Sequence, residues 1–240
     1  KKNVGRYTIY TYLKYCGVRS LDYVFISHPD KDHVNGIYEL IELCDNTFEI
    51  GTVVLPGISR AAAVKKQADD DMSKLERIFK NAGINVVYAD AGDCIKSGGF
   101  SVECMHPCKG YDYESANDYS AVYLVEYGDF SMLMTGDAEK KAEKCIIEDV
   151  NSMTGDAGEP ARLVSVNILK VGHHGSKGAS SEEFLSYIKP ETALISCGAG
   201  NSYGHPHTQT LQRLSGIGAK VYRTDESGEI AVRVRDGLYK

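Results

Sequence analysis

The motif His28-Pro29-Asp30-Lys31-Asp32-His33 constrains the fold of this chain more than any other feature of its sequence. It directly follows an apolar segment at 21–27 and precedes a segment with helical spacing at 34–41, so the pattern predicts a buried strand, a loop and a helix. Four of the six residues offer imidazole or carboxylate groups, which suit zinc or manganese. Because four such ligands in one short loop cannot easily bind a single ion, the loop predicts part of a binuclear site. The alternative is a polar loop whose aspartates cap the following helix.

Apolar segments and amphipathic segments alternate along the rest of the chain. Strands are predicted at 51–56, 84–88, 100–105, 120–127, 130–135, 165–171, 192–196, 219–223 and 229–234. Helices are predicted at 71–81, 138–149 and 208–215. The first three strands alternate with helices, whereas the region from 94 to 125 has the period-two alternation of antiparallel strands. Since no shift in composition marks a boundary, we predict a single α/β (α+β) domain over residues 1–240.

Three further polar clusters also follow predicted strands. They are Gly136-Asp137, the segment Gly172-His173-His174-Gly175-Ser176, and the segment Tyr203-Gly204-His205-Pro206-His207. Each alone is weak evidence, because a Gly-Asp pair after a strand is mostly turn chemistry. Open α/β sheets, however, bind ligands beyond the carboxyl ends of their strands. All four polar clusters lie at such ends, so together they predict one functional site.

The charge balance limits the class of protein. The chain has 27 Lys and Arg against 33 Asp and Glu, a net charge of −6. This excludes a generally basic protein that coats nucleic acid, but a local basic groove stays open. No apolar run approaches the roughly 18 residues that indicate a membrane span. The seven cysteines are scattered, so we expect buried thiols and not a disulfide scaffold.

The four clusters together resemble the metallo-β-lactamase superfamily, and within it the metallo-β-lactamase-like domain of ComEC, the DNA-uptake channel of natural competence. The segment Arg223-Thr224-Asp225-x-x-Gly228 also resembles that branch, and the likeness extends from Asn3 to Val234. It implies a four-layer αββα sandwich and a di-metal site that hydrolyses phosphodiester bonds. It further implies single-stranded DNA as the substrate and a membrane channel as a partner within the same parent protein. No sequence feature indicates an oligomer.

The same resemblance implies a role for each candidate site residue. His28 and Asp30 would bind one ion, Asp32, His33 and His174 the other, and Asp137 would bridge the two. Asp32 would also accept a proton from the attacking water, His173 would contact the phosphate, and His205 would donate to a substrate oxygen or orient a neighbour. Further phosphate contacts are expected from Lys170, Ser176 and Lys177, although exposed lysines are as readily explained as solvated surface. Three carboxylates and three imidazoles make manganese as credible as zinc.

Two features depart from the superfamily pattern. The superfamily has a histidine ahead of the Gly-Asp motif, where this chain has Asn117-Asp118-x-Ser120, with His106 eleven residues before Asn117. Asn117 and Asp118 are therefore candidates for an extra ligand or a substrate contact. The chain also opens at a point that resembles the end of the fold's first β-hairpin, so we expect that hairpin, and a membrane portion of the parent, to lie upstream.

Two alternatives to a DNA nuclease remain open. One is a phosphodiesterase for small or cell-wall phosphodiesters such as phosphorylcholine groups. The other is a non-catalytic, metal-stabilised module that binds DNA or docks a partner. We expect the domain on the extracytoplasmic face of the membrane if its parent is of the ComEC type, and otherwise in the cytoplasm or secreted.

Overall fold

The computed structural model describes residues 3–44, 48–57, 66–109, 115, 117–152, 165–235 and 238–240. The chain divides into two compact units, Lys1–Ala89 and Asp90–Lys240. Both units contain helices and strands, so the predicted mixed α/β architecture is confirmed. That residues 1–240 form one domain stays a prediction.

The first unit contains a parallel sheet whose strands alternate with helices. A π-helical turn at Gly5–Tyr10 continues into α1 (Thr11–Tyr15). The next elements are β1 (Ser20–Phe25), α2 (Lys31–Ile41), β2 (Glu49–Pro56), α3 (Lys66–Asn81) and β3 (Asn85–Ala89). The strands pair in parallel in the order β1-β2-β3. Parallel neighbours need long crossover connections, and α2 and α3 lie within them.

The core of the first unit lies around the central strand β2. Val53, Val54 and Leu55 are consecutive and all fully buried. A run without polar alternation is expected for a central parallel strand that is covered on both faces. Leu40 of α2 and Phe79 of α3 belong to the same core cluster, so these amphipathic helices bury their apolar faces in it.

The second unit contains a larger, mixed sheet. Its elements are β4 (Cys94–Ser97), β5 (Phe100–His106), β6 (Val122–Tyr127), β7 (Phe130–Met134), α4 (Lys140–Ser152), β8 (Ile168–Lys170), α5 (Glu182–Ile188), β9 (Thr192–Ile195), α6 (Thr208–Gly216), β10 (Lys220–Arg223), α7 (Thr224–Ser227), β11 (Val234–Arg235) and β12 (Leu238–Tyr239). Among the described residues, the strand order is β10-β9-β8-β7-β6-β5-β4. Strands β4 to β7 pair antiparallel and β7 to β10 pair in parallel. The parallel half therefore brings the carboxyl ends of β7, β8, β9 and β10 to one edge.

Most predicted elements are present, with ends displaced by a few residues, and Gly128-Asp129 forms the predicted hairpin turn between β6 and β7. The predicted strand at 229–234 is wrong. Only Val234–Arg235 is paired there, with Leu238–Tyr239, and these strands form a separate two-stranded sheet. An alternating pattern shows which side chains fit a half-buried strand, but a strand also needs a neighbour with which to pair. The helical segment 5–15 and α5 were not predicted from the sequence.

The cysteines differ from the expectation of buried thiols. Cys108 and Cys145 form a disulfide that joins the segment after β5 to α4. Cys104 is a buried thiol, whereas Cys16 and Cys94 are exposed. In the described part of the chain, no helix has both the length and the apolar character that crossing a membrane requires.

Candidate metal centre

The first set of candidate ligands lies in the loop between β1 and α2, and we call His28, Asp30, Asp32 and His33 the loop cluster. Asp30 occupies the N-cap position of α2, yet its side chain makes no capping hydrogen bond. Its Oδ2 instead lies 3.9 Å from Nε2 of the fully buried His28. Nε2 of His33 lies 3.7 Å from Oδ2 of Asp32. Capping of α2 therefore does not account for Asp30. The imidazoles of His28 and His33 instead face the carboxylates of Asp30 and Asp32, as ligands of a metal ion would.

A single hydroxyl supports both imidazoles of the loop cluster. Oγ of Ser27 lies 3.0 Å from Nδ1 of His28 and 3.4 Å from Nδ1 of His33. The two imidazole rings are 4.0 Å apart between centroids. In both residues Nδ1 contacts the hydroxyl and Nε2 faces a carboxylate. A second contact at the other ring nitrogen is typical of imidazoles that bind metal ions.

The second set lies at the carboxyl edge of the parallel strands in the second unit, and we call Asp137, His173 and His174 the edge cluster. Asp137 follows β7 and is buried, and its backbone N–H donates to Oγ of Ser120 at 3.1 Å. The two histidines form a turn after β8, with φ angles of 44° and 54°. Left-handed backbone is unfavourable for residues other than glycine, and such conformations concentrate at functional sites.

Glycine makes the turn of the edge cluster possible. A Cβ atom on Gly172 would lie 2.8 Å from the carbonyl oxygen of Ala138, closer than real Cβ contacts. The backbone N–H of His173 donates to the carbonyl of Gly136 at 3.1 Å. The turn after β8 is thus held against the segment that carries Asp137.

Hydrogen bonds fix the proton positions on both histidines of the edge cluster. Nδ1 of His173 lies 2.8 Å from Oε1 of Glu139, and Nδ1 of His174 lies 2.7 Å from the carbonyl of Ser196. Carboxylate and carbonyl oxygens only accept, so Nδ1 carries the proton in both rings. In a neutral imidazole Nε2 is then an acceptor, and it lies 3.8 Å (His173) and 3.7 Å (His174) from the carboxylate oxygens of Asp137. Acceptors that face acceptors repel each other, and a cation relieves that repulsion.

His205 extends the edge cluster. Its ring lies 5.5 Å from the ring of His173 and 6.2 Å from that of His174, between centroids. Burial lowers the pKa of His205, and the neighbouring imidazoles lower it further, whereas Asp137 raises it. A neutral imidazole at this position is able to donate one hydrogen bond and accept another.

The candidate phosphate contacts differ from one another. Nζ of Lys170 donates to the carbonyl of Val171 at 2.9 Å; burial lowers the pKa of this lysine, and Asp137 acts in the opposite direction. Oγ of Ser176 is buried and donates to Oε1 of Glu139 at 3.3 Å. Lys177 is exposed, and its backbone N–H bonds to the ring of a nearby histidine. Of the three, only Lys177 presents an exposed side chain.

The segment that replaces the superfamily histidine lies partly beside the edge cluster. Nδ2 of Asn117 is 3.4 Å from Nδ1 of His173. Asp118 is buried and instead accepts from Oγ of Ser115 at 2.7 Å. His106 is fully buried, and its Nδ1 donates to the carbonyl of Ser120 at 2.9 Å. Asn117 is thus the member of this segment whose side chain contacts the edge cluster.

Three curated relatives match most of the length of the chain. It is 29% identical over 234 residues to ComE operon protein 3 of Bacillus subtilis, covering 98% of this chain and 27% of the relative. It is 30% identical over 222 residues to competence protein ComA of Neisseria gonorrhoeae, covering 91% and 26% respectively. Recombination protein 2 of Haemophilus influenzae is 29% identical over 213 residues, covering 88% and 22%. The chain is a homologue of the ComEC-family proteins. It spans about a quarter of the length of these relatives, and no protein-family model matches it.

Solved structures show the fold of this ComEC-family homologue. CmlA, a diiron β-hydroxylase from Streptomyces venezuelae, superposes with a TM-score of 0.57 at 14% identity, over 85% of this chain and 44% of that one. The metallo-β-lactamase fold protein YhfI from Bacillus subtilis superposes with a TM-score of 0.50 at 10% identity, over 85% and 74%. At such low identity the likeness concerns the fold alone. The predicted resemblance and metallo-β-lactamase fold are confirmed.

Sequence reasoning missed the residues that hold the imidazoles of this homologue. Ser27 lies within a predicted strand, and Ser196 acts through its backbone carbonyl, so neither side chain gave a signal. Glu139 comes two residues after Asp137 and just before α4, where an acidic residue is expected from the helix dipole alone. The pairing of Glu139 with His173 depends on the adjacency of β7 and β8, which local sequence does not specify.

Proposed function

We propose that the chain is a metal-dependent hydrolase that cleaves phosphodiester bonds in single-stranded DNA during DNA uptake. The observation that carries the proposal is the repeated geometry of its imidazoles. In the described part of the chain, His28, His33, His173 and His174 each direct Nε2 at a carboxylate oxygen 3.7–3.9 Å away. Nδ1 of each ring contacts another oxygen: Oγ of Ser27 for both His28 and His33, and Glu139 or the Ser196 carbonyl for the other two.

The donor atoms fit divalent metal ions. Separations of 3.7–3.9 Å are too long for a hydrogen bond. Two ligand atoms on one tetrahedral ion, with bonds of about 2.1 Å, would be roughly 3.4 Å apart. The donors are imidazole nitrogens and carboxylate oxygens without sulfur, so manganese and zinc both suit them. When bound, such ions polarise a phosphoryl group and lower the pKa of a water molecule.

We propose the ligand assignment that the family motifs imply. By those motifs, His28 and Asp30 would hold one ion, Asp32, His33 and His174 would hold the second, and Asp137 would be shared by both. The support for His174 as a ligand is its hydrogen bond: Nδ1 donates to a backbone carbonyl, so Nε2 is the ring nitrogen left to bind a cation.

The chain's own side chains orient the substrate and carry protons. The carboxylate of Glu139 at Nδ1 of His173 orients that ring, which supports His173 as the group that contacts the phosphate in the transition state. Asp32 accepts the proton of the attacking water, and His205 contacts a substrate oxygen. Lys170 and Lys177 contact phosphate oxygens, Ser176 holds Glu139, and Asn117 contacts the substrate beside His173.

The identity of the substrate rests on the relatives. One relative is named competence protein ComA and another recombination protein 2, and the chain matches about a quarter of the length of each. We therefore propose a DNA strand as substrate, a membrane channel in the same parent protein as partner, and the extracytoplasmic face of the membrane as location. The net charge of −6 does not oppose DNA, since bound divalent cations would make the site far less negative than the sum.

The test is metal removal followed by metal addition on the purified chain. After dialysis against a chelator, we expect no cleavage of a fluorescently labelled single strand, and recovery with manganese or zinc. Absence of cleavage with every divalent metal would refute the hydrolase. Binding of the strand without cleavage would instead support the non-catalytic module, and cleavage of a phosphorylcholine ester but not of DNA would support the small-substrate phosphodiesterase.

A further inference from the structure

The loop after β9 holds an exposed tyrosine in a fixed position. The side chain of Asn201 closes this loop: Nδ2 donates to the carbonyls of Gly198 at 2.9 Å and His205 at 2.6 Å, and Oδ1 accepts from the backbone N–H of His205 at 3.0 Å. Tyr203 lies inside the closed segment, and its side chain makes none of these three bonds. The hydrogen bonds that order the loop therefore do not involve the side chain of Tyr203, and its ring is available to contact a ligand.

The ring of Tyr203 is 77% exposed and stacks on His205, with centroids 5.7 Å apart and the planes 20° from parallel. His205 in turn contacts the rings of His173 and His174. Tyr203 is two residues before His205, and its large exposed ring offers one flat face to a ligand that enters the site. The hydrogen bonds of Asn201 hold the loop without using the ring of Tyr203.

The shape of this surface indicates the chemistry of its ligand. A quaternary ammonium group, as in choline, is bound by several aromatic rings that surround it. Tyr203 and His205 are instead nearly parallel and present one open face, which suits a second flat ring. Bases of single-stranded nucleic acids stack on such aromatic side chains without sequence preference.

We infer that Tyr203 is the stacking platform for an unpaired nucleobase beside the phosphodiester that is cleaved. The inference rests on the proposed function and deepens it: it names the residue by which the site selects a strand with exposed bases over small phosphodiesters and paired duplex. Tyr203 is a specificity residue, and His205 connects it to the edge cluster.

The test compares three variants on two substrates. The variants are Tyr203→Ala, Tyr203→Phe, which keeps the ring, and Tyr127→Ala as a matched control. Tyr127 is a half-exposed tyrosine at the hairpin end of β6, opposite Phe130 and away from Asp137. The substrates are a single-stranded oligonucleotide and the same backbone with abasic residues.

We expect Tyr203→Ala to lower kcat/KM on the normal strand by about 5- to 150-fold, mainly through KM, since one stacked base is lost. The loss should be at least about fivefold larger on the normal strand than on the abasic strand, and Tyr203→Phe and Tyr127→Ala should stay near wild type. Equal losses on both substrates, or no loss, would overturn the inference.

A binding measurement separates failure of this inference from failure of the proposed hydrolase. A strand that contains 2-aminopurine reports stacking as a decrease in fluorescence, with or without cleavage. We expect the wild type and Tyr203→Phe to quench it and Tyr203→Ala not to. Quenching without any cleavage would refute the hydrolase and support the platform, whereas cleavage without a quench that depends on Tyr203 would do the reverse.

Discussion

The loop cluster and the edge cluster present the same kinds of ligand atoms but are assembled differently. All members of the loop cluster come from six consecutive residues, and the hydroxyl of Ser27 serves both imidazoles. In the edge cluster each imidazole has an acceptor of its own, Glu139 or the carbonyl of Ser196, supplied by neighbouring strand ends. A hydroxyl has one proton and cannot donate to two rings, whereas a dedicated acceptor fixes the proton of its ring. We therefore expect the edge cluster to be the more strictly oriented of the two.

The largest effect is expected at the carboxylate that both imidazoles of the edge cluster face. Asp137→Asn removes its charge, and we expect kcat/KM for strand cleavage to fall at least about a thousandfold, with loss of bound metal. Steady-state cleavage and metal analysis of the purified variant measure both. Asp129→Asn, in the exposed turn between β6 and β7, is the matched control. If Asp137→Asn retains activity within tenfold of the control, the edge cluster has no essential role in catalysis.

A somewhat smaller effect is expected in the loop cluster. His33→Ala removes one imidazole ligand, and we expect cleavage to fall about a hundredfold or more, with fewer metal ions bound per chain. Binding of the single strand should weaken much less than cleavage does, because the bound cations supply only part of the affinity but are required for the chemistry. If strand binding falls in parallel with metal content while no cleavage is measurable even in the wild type, the metals serve binding and the non-catalytic module is favoured.

The role of a dedicated acceptor is tested at Glu139. Glu139→Gln keeps the shape but removes the charge beside Nδ1 of His173, and partners of this kind typically contribute about 10- to 100-fold. We expect a loss of that size in kcat, with unchanged metal content and KM. The nitrogen chemical shifts of His173 should also move, which a purely structural role would not require. Glu148→Gln, on the exposed side of α4, is the control, and equal activity of the two variants would contradict the role of Glu139.

The contrast between the clusters also explains what could be predicted from sequence. The loop cluster is contiguous, so His28 and His33 could be assigned to one loop directly from their spacing. In the edge cluster, Asp137 and His174 were predicted only through a general rule about strand ends and the family resemblance. Their contacts depend on the parallel pairing of β7, β8 and β9. Side-chain partners such as Glu139 could not be predicted, because strand order is a long-range property that no local pattern encodes.

Contact geometry likewise separates candidates that look equivalent in sequence. Ser176 and Lys177 are adjacent, yet Ser176 is buried against Glu139 while Lys177 is exposed. A Cβ atom on Gly178 would lie 2.7 Å from the Glu139 carboxylate, so only glycine leaves room for that carboxylate in its present position. Steric requirements of this kind become visible only once the chain is folded.

The smallest effect on activity is expected at His106 in the second unit, where a substitution should change the pH dependence of stability. Burial lowers its pKa from 6.5 to about 4. The unfolded chain therefore takes up a proton more readily than the folded one between these values, and stability falls as the pH is lowered through that range. The full contribution is present at pH 7, and about 3 kcal/mol of unfolding free energy should be lost near pH 4.

His106→Asn keeps a donor for the carbonyl of Ser120 but has no titrating ring. Denaturant unfolding of the metal-free wild type and variant at several pH values should give a weaker acid dependence for the variant, with activity at pH 7 changed by less than about twofold. Equal slopes in the two proteins would assign the acid sensitivity to other groups.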